Sequence, residues 1–265
     1  DVSPAAIFVI PGLTRNPRRY LLKRGFRLGG RNDNSSHLAF SLLSSYPDPS
    51  MSTIVTTGIR EQAAHIVAGA AHVRIDGACL HDLAVRLASA PTPSWDSDLH
   101  FSDDTERTAA YFLVLDAANF CFWPSEFFVT YKEKTYGRKD GYCALAVAFK
   151  RAFEEGMPLW DAKMLGGLNE EDLRQILRGE GEVPLFDERL ANLRNLGQTL
   201  IERYGGSVIN LLEKCGYEAP RIAEELAGNF SAFRDVRTWQ GQTFTPNKRA
   251  QIFVSDLAGA FGEKG

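Results

Sequence analysis

The chain has 265 residues, of which 44% are hydrophobic and 24% charged, with a formal net charge of -3. That composition suits a globular protein with one sizeable core or two small ones. The acidic balance argues against a general polyanion binder, and no apolar run reaches the roughly 18 residues of a membrane span. The four cysteines, Cys79, Cys121, Cys143 and Cys215, are widely spaced and fit no zinc pattern. They read as reduced, mostly buried thiols of a cytoplasmic protein.

Residues 1–50 differ from the rest. Seven Arg and Lys stand there against three Asp, a balance of +4 that leaves -7 for the remainder. The stretch has no sustained period, and Met51 follows it directly. We expect residues 1–50 to be non-native upstream sequence or a disordered basic arm, and 51–265 to form the domain.

Beyond Met51 helical periods dominate. Residues 58–72 and 81–90 read as short helices and 91–102 as a polar loop. A helix over 104–118 opens at Asp103 or Asp104 and turns Ala109, Phe112 and Leu113 inward. Residues 127–140 break the pattern. Helices over 142–155 and 170–178 follow, the first stopped by Gly156 and Pro158 and the second capped by Asn169. Leu165-Gly166-Gly167-Leu168 marks a turn between helices. The clearest helix is 187–204, with a stripe of Leu190, Leu193, Leu196, Gly197, Leu200, Ile201 and Tyr204, stopped by Gly205-Gly206. Two short helices cover 207–214 and 219–227. A brief extended pair is expected around Gln240-Gly241, and a last helix spans 246–261 with Ala250, Phe253, Leu257 and Ala260 inward. The fold expected is all-α, mainly helical, with at most one small hairpin.

Three segments carry more functional residue types than a core needs. In Leu115–Pro124, Asn119 among Phe120, Phe122 and Trp123 suits a flat heterocycle, which wants stacking above and hydrogen bonds at its edge; the same residues suit a core aromatic cluster. In Phe233-Arg234-Asp235, near Trp239, a carboxylate beside aromatic rings can stabilise a developing oxocarbenium ion; Arg234 and Asp235 read equally as a surface ion pair or a cap. In Lys248-Arg249-Ala250-Gln251, cations at a helix start can hold a phosphate or simply face solvent. His100 precedes the aromatic helix on a loop. No P-loop, dinucleotide fingerprint, nucleophile elbow or HExxH is present, and no metal site stands out.

Five segments in order, LDAANFCFWP (115–124), GYCALAVAFKRAFEEG (141–156), PLFDERLANLRNLG (184–197), FRDVRTWQG (233–241) and KRAQIFVSDL (248–257), resemble the queuosine salvage protein family of queuosine 5'-monophosphate N-glycosidases. The resemblance runs from about Ala63 to Gly265. It implies a helical fold like that of the helical DNA glycosylases. It also implies hydrolysis of the bond between ribose and a 7-deazaguanine base, which releases queuine for tRNA modification. The implied partner is a small nucleotide substrate, without metal or redox cofactor, direct nucleic-acid contact or membrane. Carried over, Asp235 is the catalytic carboxylate. Asn119, Phe120 and Trp123 wall or orient the base, with Tyr142 as a further wall. His100 faces ribose or phosphate, Lys248 holds phosphate, and Arg234 and Trp239 flank the site.

Trp239 stands where the family usually has Tyr, and Cys143 where it has Trp. Family members continue past the point matching Gly265 with a MFADYR-like motif, so an incomplete fragment is expected. Two other readings are a nucleotide-binding fragment without turnover and a helical DNA-repair glycosylase. The second calls for a basic face, which the -7 after Met51 does not favour.

Overall fold

The computed structural model describes residues 58–91, 98–123 and 126–262. They belong to two compact units, one reaching to Ser94 and the other starting at Trp95. Residues 1–50, expected to be non-native or a disordered arm, and Met51 lie outside the described residues. The first unit contributes α1 (Ile59–Gly69) and α2 (Gly77–Ser89). α2 starts at Gly77, four residues before the expected His81, because the Asp76 carboxylate caps it and accepts the N–H groups of Ala78 at 2.9 Å and Cys79 at 3.0 Å.

The second unit runs α3 (Glu106–Ala117), β1 (Phe128–Thr130), β2 (Arg138–Asp140), α4 (Gly141–Glu154), α5 (Ala162–Gly166), α6 (Glu170–Ile176), α7 (Phe186–Tyr204), α8 (Val208–Lys214), α9 (Ala219–Asn229), β3 (Arg237–Trp239), β4 (Gln242–Phe244) and α10 (Lys248–Gly262). The mainly helical expectation holds, with two hairpins where at most one was expected. The β3–β4 hairpin turns at Gln240 and Gly241, both with positive φ, the geometry that suits a two-residue connection. The β1–β2 pair went unread because its strands have three residues each and a long charged connection. That is too short for alternation to show. Phe128 also exchanges two backbone hydrogen bonds with Glu180, at 2.9 and 2.8 Å.

α3 is central. Every residue from Thr108 to Ala117 is buried, so it has no single inward face as expected; a helix hydrophobic on all sides belongs in the middle of a core. Thr105 is its cap, in place of Asp103 or Asp104, and accepts the Arg107 N–H at 3.1 Å. Tyr111 ties α3 to α4 by donating to the Ala146 carbonyl at 3.0 Å. α6 starts in a capping box of Asn169 and Asp172, as Asn169 suggested.

α5 was missed. It is one turn capped by Asp161 and lies against α7. A Cβ on Gly197 would sit 2.2 Å from the Gly166 nitrogen, so only glycine permits this approach. Along α7 the expected stripe is buried except Ile201, which is 42% exposed; it lies a full residue step round the helix from Leu200. Gly205 ends α7 in the left-handed conformation. Of the four cysteines, Cys215 is buried, Cys143 half-buried, and Cys79 and Cys121 exposed; all are free thiols. The expectation of mostly buried thiols is thereby corrected. Short helices and loops leave surface positions open even to apolar side chains. Among the described residues no helix is long and apolar enough to cross a membrane.

Candidate active site

α10 packs on α3 and α9, and this brings together segments more than 100 residues apart. At the end of α3, Asp116 is fully buried. Its Oδ1 accepts from Asn119 Nδ2 at 3.4 Å, while its Oδ2 has no partner. Across from it on α10, Asp256 is buried with an Oδ2 that also lacks a partner. Arg249 lies over the Phe120 ring, 5.1 Å from its centroid, and its buried Nη1 has no acceptor. The buried Oδ1 of Asn247 has no donor. Four buried polar atoms without partners on α3, on α10 and just before α10 are unusual, since buried polar groups are nearly always bonded; free donors and acceptors in one region suit a ligand.

Burial raises both carboxyls, Asp116 well above the usual range and further because of the Asp256 charge, and Asp256 to about 7. Two like groups in one apolar wall hold at least one proton near neutrality. Burial lowers the Arg249 guanidinium, while Asp235 and Asp116 act in the opposite sense.

Asp235, in the loop before β3, faces the first residue of α10, and its side chain is 12% exposed. Oδ2 accepts the Lys248 backbone N–H at 3.3 Å, and Oδ1 pairs with Arg237 at 3.2 Å. The remaining members lie on α4 and the loop before α3. His100 is buried, with Nε2 2.8 Å from the Tyr142 hydroxyl. Burial, then Asp256 and Asp116, push that hydroxyl far above its ordinary value, so it keeps its proton. Lys150 donates to the carbonyls of Asp98 at 2.7 Å and His100 at 2.9 Å, which holds this loop.

Thus His100, Tyr142, Asn119, Phe120 and Asp235 share one chain of neighbours through Asp116, Asp256 and Arg249. Four other expected residues stand at its margin. Trp123 is 81% exposed. Arg234 is exposed and donates to the Gly228 carbonyl at 3.3 Å. Trp239 packs edge-on against Phe244. Lys248 joins through its backbone, with its side chain in solvent. Two surface depressions lie elsewhere, one along α6 at Glu171–Gln175 and one beside Trp160 and Gly206. Neither gathers unpartnered polar groups, so neither marks the site. Among the described residues no group of three or more His, Cys, Asp and Glu is placed to hold a metal ion.

Residues 99–265 match the family model described as queuosine salvage protein. The chain belongs to the queuosine salvage protein family. It is 41% identical over 211 residues to the queuosine 5'-phosphate N-glycosylase/hydrolase of Sphaerobacter thermophilus, covering 77% of this chain and 63% of the relative. The proteins of the same name from Bos taurus and Mus musculus are 31% and 32% identical; each match covers 78% of this chain, and 64% and 58% of the relative. The chain therefore spans about three-fifths of the length of these family members.

Arg249, Asp116, Asp256 and Arg189 were not among the family residues carried over. Arg249 adjoins the chosen Lys248. Asp256 falls on the inward stripe of Ala250, Phe253 and Leu257, and Asp116 is the one charge in an otherwise apolar helix interior. A carboxyl at a core position of the hydrophobic period was the signal available for both.

The raised Asp256 carboxyl has a measurable consequence. In the unfolded chain the group titrates near 4, and in the folded chain near 7. Below pH 4 both states are protonated, so stability is highest there with respect to this group. It falls as pH rises through 4 to 7 and stays low above, by on the order of 4 kcal/mol at most. Asp256→Asn is expected to match the parent's melting temperature at pH 4 and to exceed it by roughly 5–10 °C at pH 8. Equal melting at pH 8 would show that Asp256 is not a buried acid.

Proposed function

We propose that this chain hydrolyses the N-glycosidic bond of queuosine 5'-monophosphate, releasing queuine and ribose 5-phosphate. The observation that carries the reading is Asp235: a largely buried carboxylate in the loop before β3, fixed by Arg237 on one side and on the other by the start of α10, the helix that presents Arg249 to the Phe120 ring. Names of the family members support the substrate, and the absence of a basic surplus supports a free nucleotide over a nucleic acid. The reading is of a cytoplasmic enzyme with a small-molecule partner.

The chemistry follows from the bond. As the C1'–N bond breaks, positive charge develops on the ribose, and a fixed carboxylate stabilises it. Asp235 takes this role and accepts a proton from the water that forms the new C1'–O bond, and that proton passes on to the nitrogen of the released base. The base stacks on Phe120 with Asn119 at its edge. Its N–H donors meet the Asp116 and Asp256 carboxyls, and the free Arg249 N–H bonds to the departing ring, easing its loss. His100 and Tyr142 border the sugar, and Lys248 attracts the phosphate.

Incubating the chain with queuosine 5'-monophosphate and separating products by chromatography tests this. Queuine and ribose 5-phosphate are expected in equal amounts. Thermal stabilisation by the nucleotide without product would reduce the chain to a binding protein, and the absence of both product and stabilisation would overturn the reading altogether.

A further inference from the structure

Arg189 of α7 is fully buried, and among the described residues no carboxylate pairs with it. Each guanidinium nitrogen donates to a backbone carbonyl: Nε to Pro184 at 2.9 Å, Nη1 to Ala118, and Nη2 to Phe120 and to Cys121, the last at 2.9 Å. Three of the four acceptors belong to the single segment 118–121. The same guanidinium lies 4.5 Å from the Phe120 ring centroid and 5.3 Å from that of Phe122. The segment is bent where it is held, with Cys121 at φ +48, a conformation that a non-glycine residue adopts only under tertiary constraint.

Burying a cation without a counter-ion is costly. Packing alone is served as well or better by an apolar side chain of similar volume. Burial lowers this guanidinium only to about 10, so it stays charged at neutral pH. The planar fork matches several fixed acceptors at once, which a lysine ammonium cannot span. What the fork holds is the stretch that places Asn119 against Asp116 and Phe120 under Arg249.

We propose that Arg189 is a positioning residue of the site: it clamps the carbonyls of 118–121 so that Asn119 and Phe120 form a rigid wall for the base. It acts through these neighbours and does not touch the reacting atoms. This inference rests on the function proposed above for its kinetic part and on geometry alone for its clamping part.

Two variants, Arg189→Lys and Arg189→Gln, are compared with the parent chain by amide hydrogen exchange and by kinetics with queuosine 5'-monophosphate. For Arg189→Lys, exchange in a peptide covering 116–123 is expected to quicken by tenfold or more, on the order expected of a freed loop, while peptides from α4 and α7 keep the parent rate. KM is expected to rise roughly 10- to 100-fold with kcat within about threefold, the pattern of a binding wall loosened away from the chemistry. Arg189→Gln should exceed Arg189→Lys in both respects; if it fails to fold, the Lys variant alone decides. Exchange unchanged in 116–123, or raised equally throughout the second unit, overturns the clamp. Exchange raised locally with KM unchanged overturns the positioning role. If the parent releases no queuine and binds no nucleotide, the proposed function fails, while the clamp is still judged by exchange.

Discussion

Replacing Asp235 by asparagine is expected to lower queuine release by about 10³-fold while leaving nucleotide affinity within about threefold. The substitution is nearly isosteric. Its amide oxygen can still accept the Lys248 N–H that Asp235 Oδ2 accepts at 3.3 Å, so the start of α10 keeps its partner. The lost ion pair is to Arg237, whose side chain is 73% exposed, and such pairs contribute roughly 0–1 kcal/mol. Structural consequences are therefore small, and the melting temperature should stay within a few degrees of the parent. The charge facing the ribosyl cation is another matter, because a fixed carboxylate in a largely buried site acts on the transition state far more than on the bound ground state. Arg237→Ala is the control and is expected to keep at least half the parental rate. A rate for Asp235→Asn within tenfold of the parent would reduce Asp235 to a helix cap with a surface ion pair, the other reading its position in FRD allows.

The second large effect is expected at Arg249. Arg249→Met keeps the length and apolar stem over Phe120 but removes the guanidinium and the unpartnered Nη1–H. Asp116 and Asp235 then lose the cation that faces them both. We expect kcat/KM to fall by about 10²- to 10³-fold, the range seen when one aimed donor is removed from a low-dielectric site. Arg249→Lys should recover only part of this, since an ammonium restores charge but not the planar fork stacked on the ring. Steady-state kinetics on the three proteins checks the order parent, Lys, Met. A Met variant within threefold of the parent would remove Arg249 from the site and leave its free N–H as a packing defect.

The two residues were not equally visible in the linear chain. Asp235 stood out because FRD carries a carboxylate between aromatic residues and belongs to an ordered set of family motifs. Arg249 lay one place from Lys248, and nothing in the segment says which of two adjacent cations points inward. The structure puts Lys248 in solvent and Arg249 over Phe120, since successive helix positions are about 100° apart and α10 turns one side to α3. Trp123 shows the converse. Its place in NFCFW suggested a wall of the base site, yet it is 81% exposed, because the segment is pulled in by its carbonyls and not by every ring.

Sequence by itself determined the helical class, the extent of most helices beyond Met51, the stops at Gly205 and the turn at Gln240-Gly241, and the family. These depend on periodicity, caps and turn residues that act within a few positions. Tertiary structure alone decided that α3 is buried on all sides, that three-residue strands pair as β1 and β2, and that Gly197 admits α5. It also decided that Asp116, Arg249 and Arg189 all meet the 118–121 loop. Those outcomes depend on which helices meet, and residues 116 and 256 come together only when α10 is laid against α3.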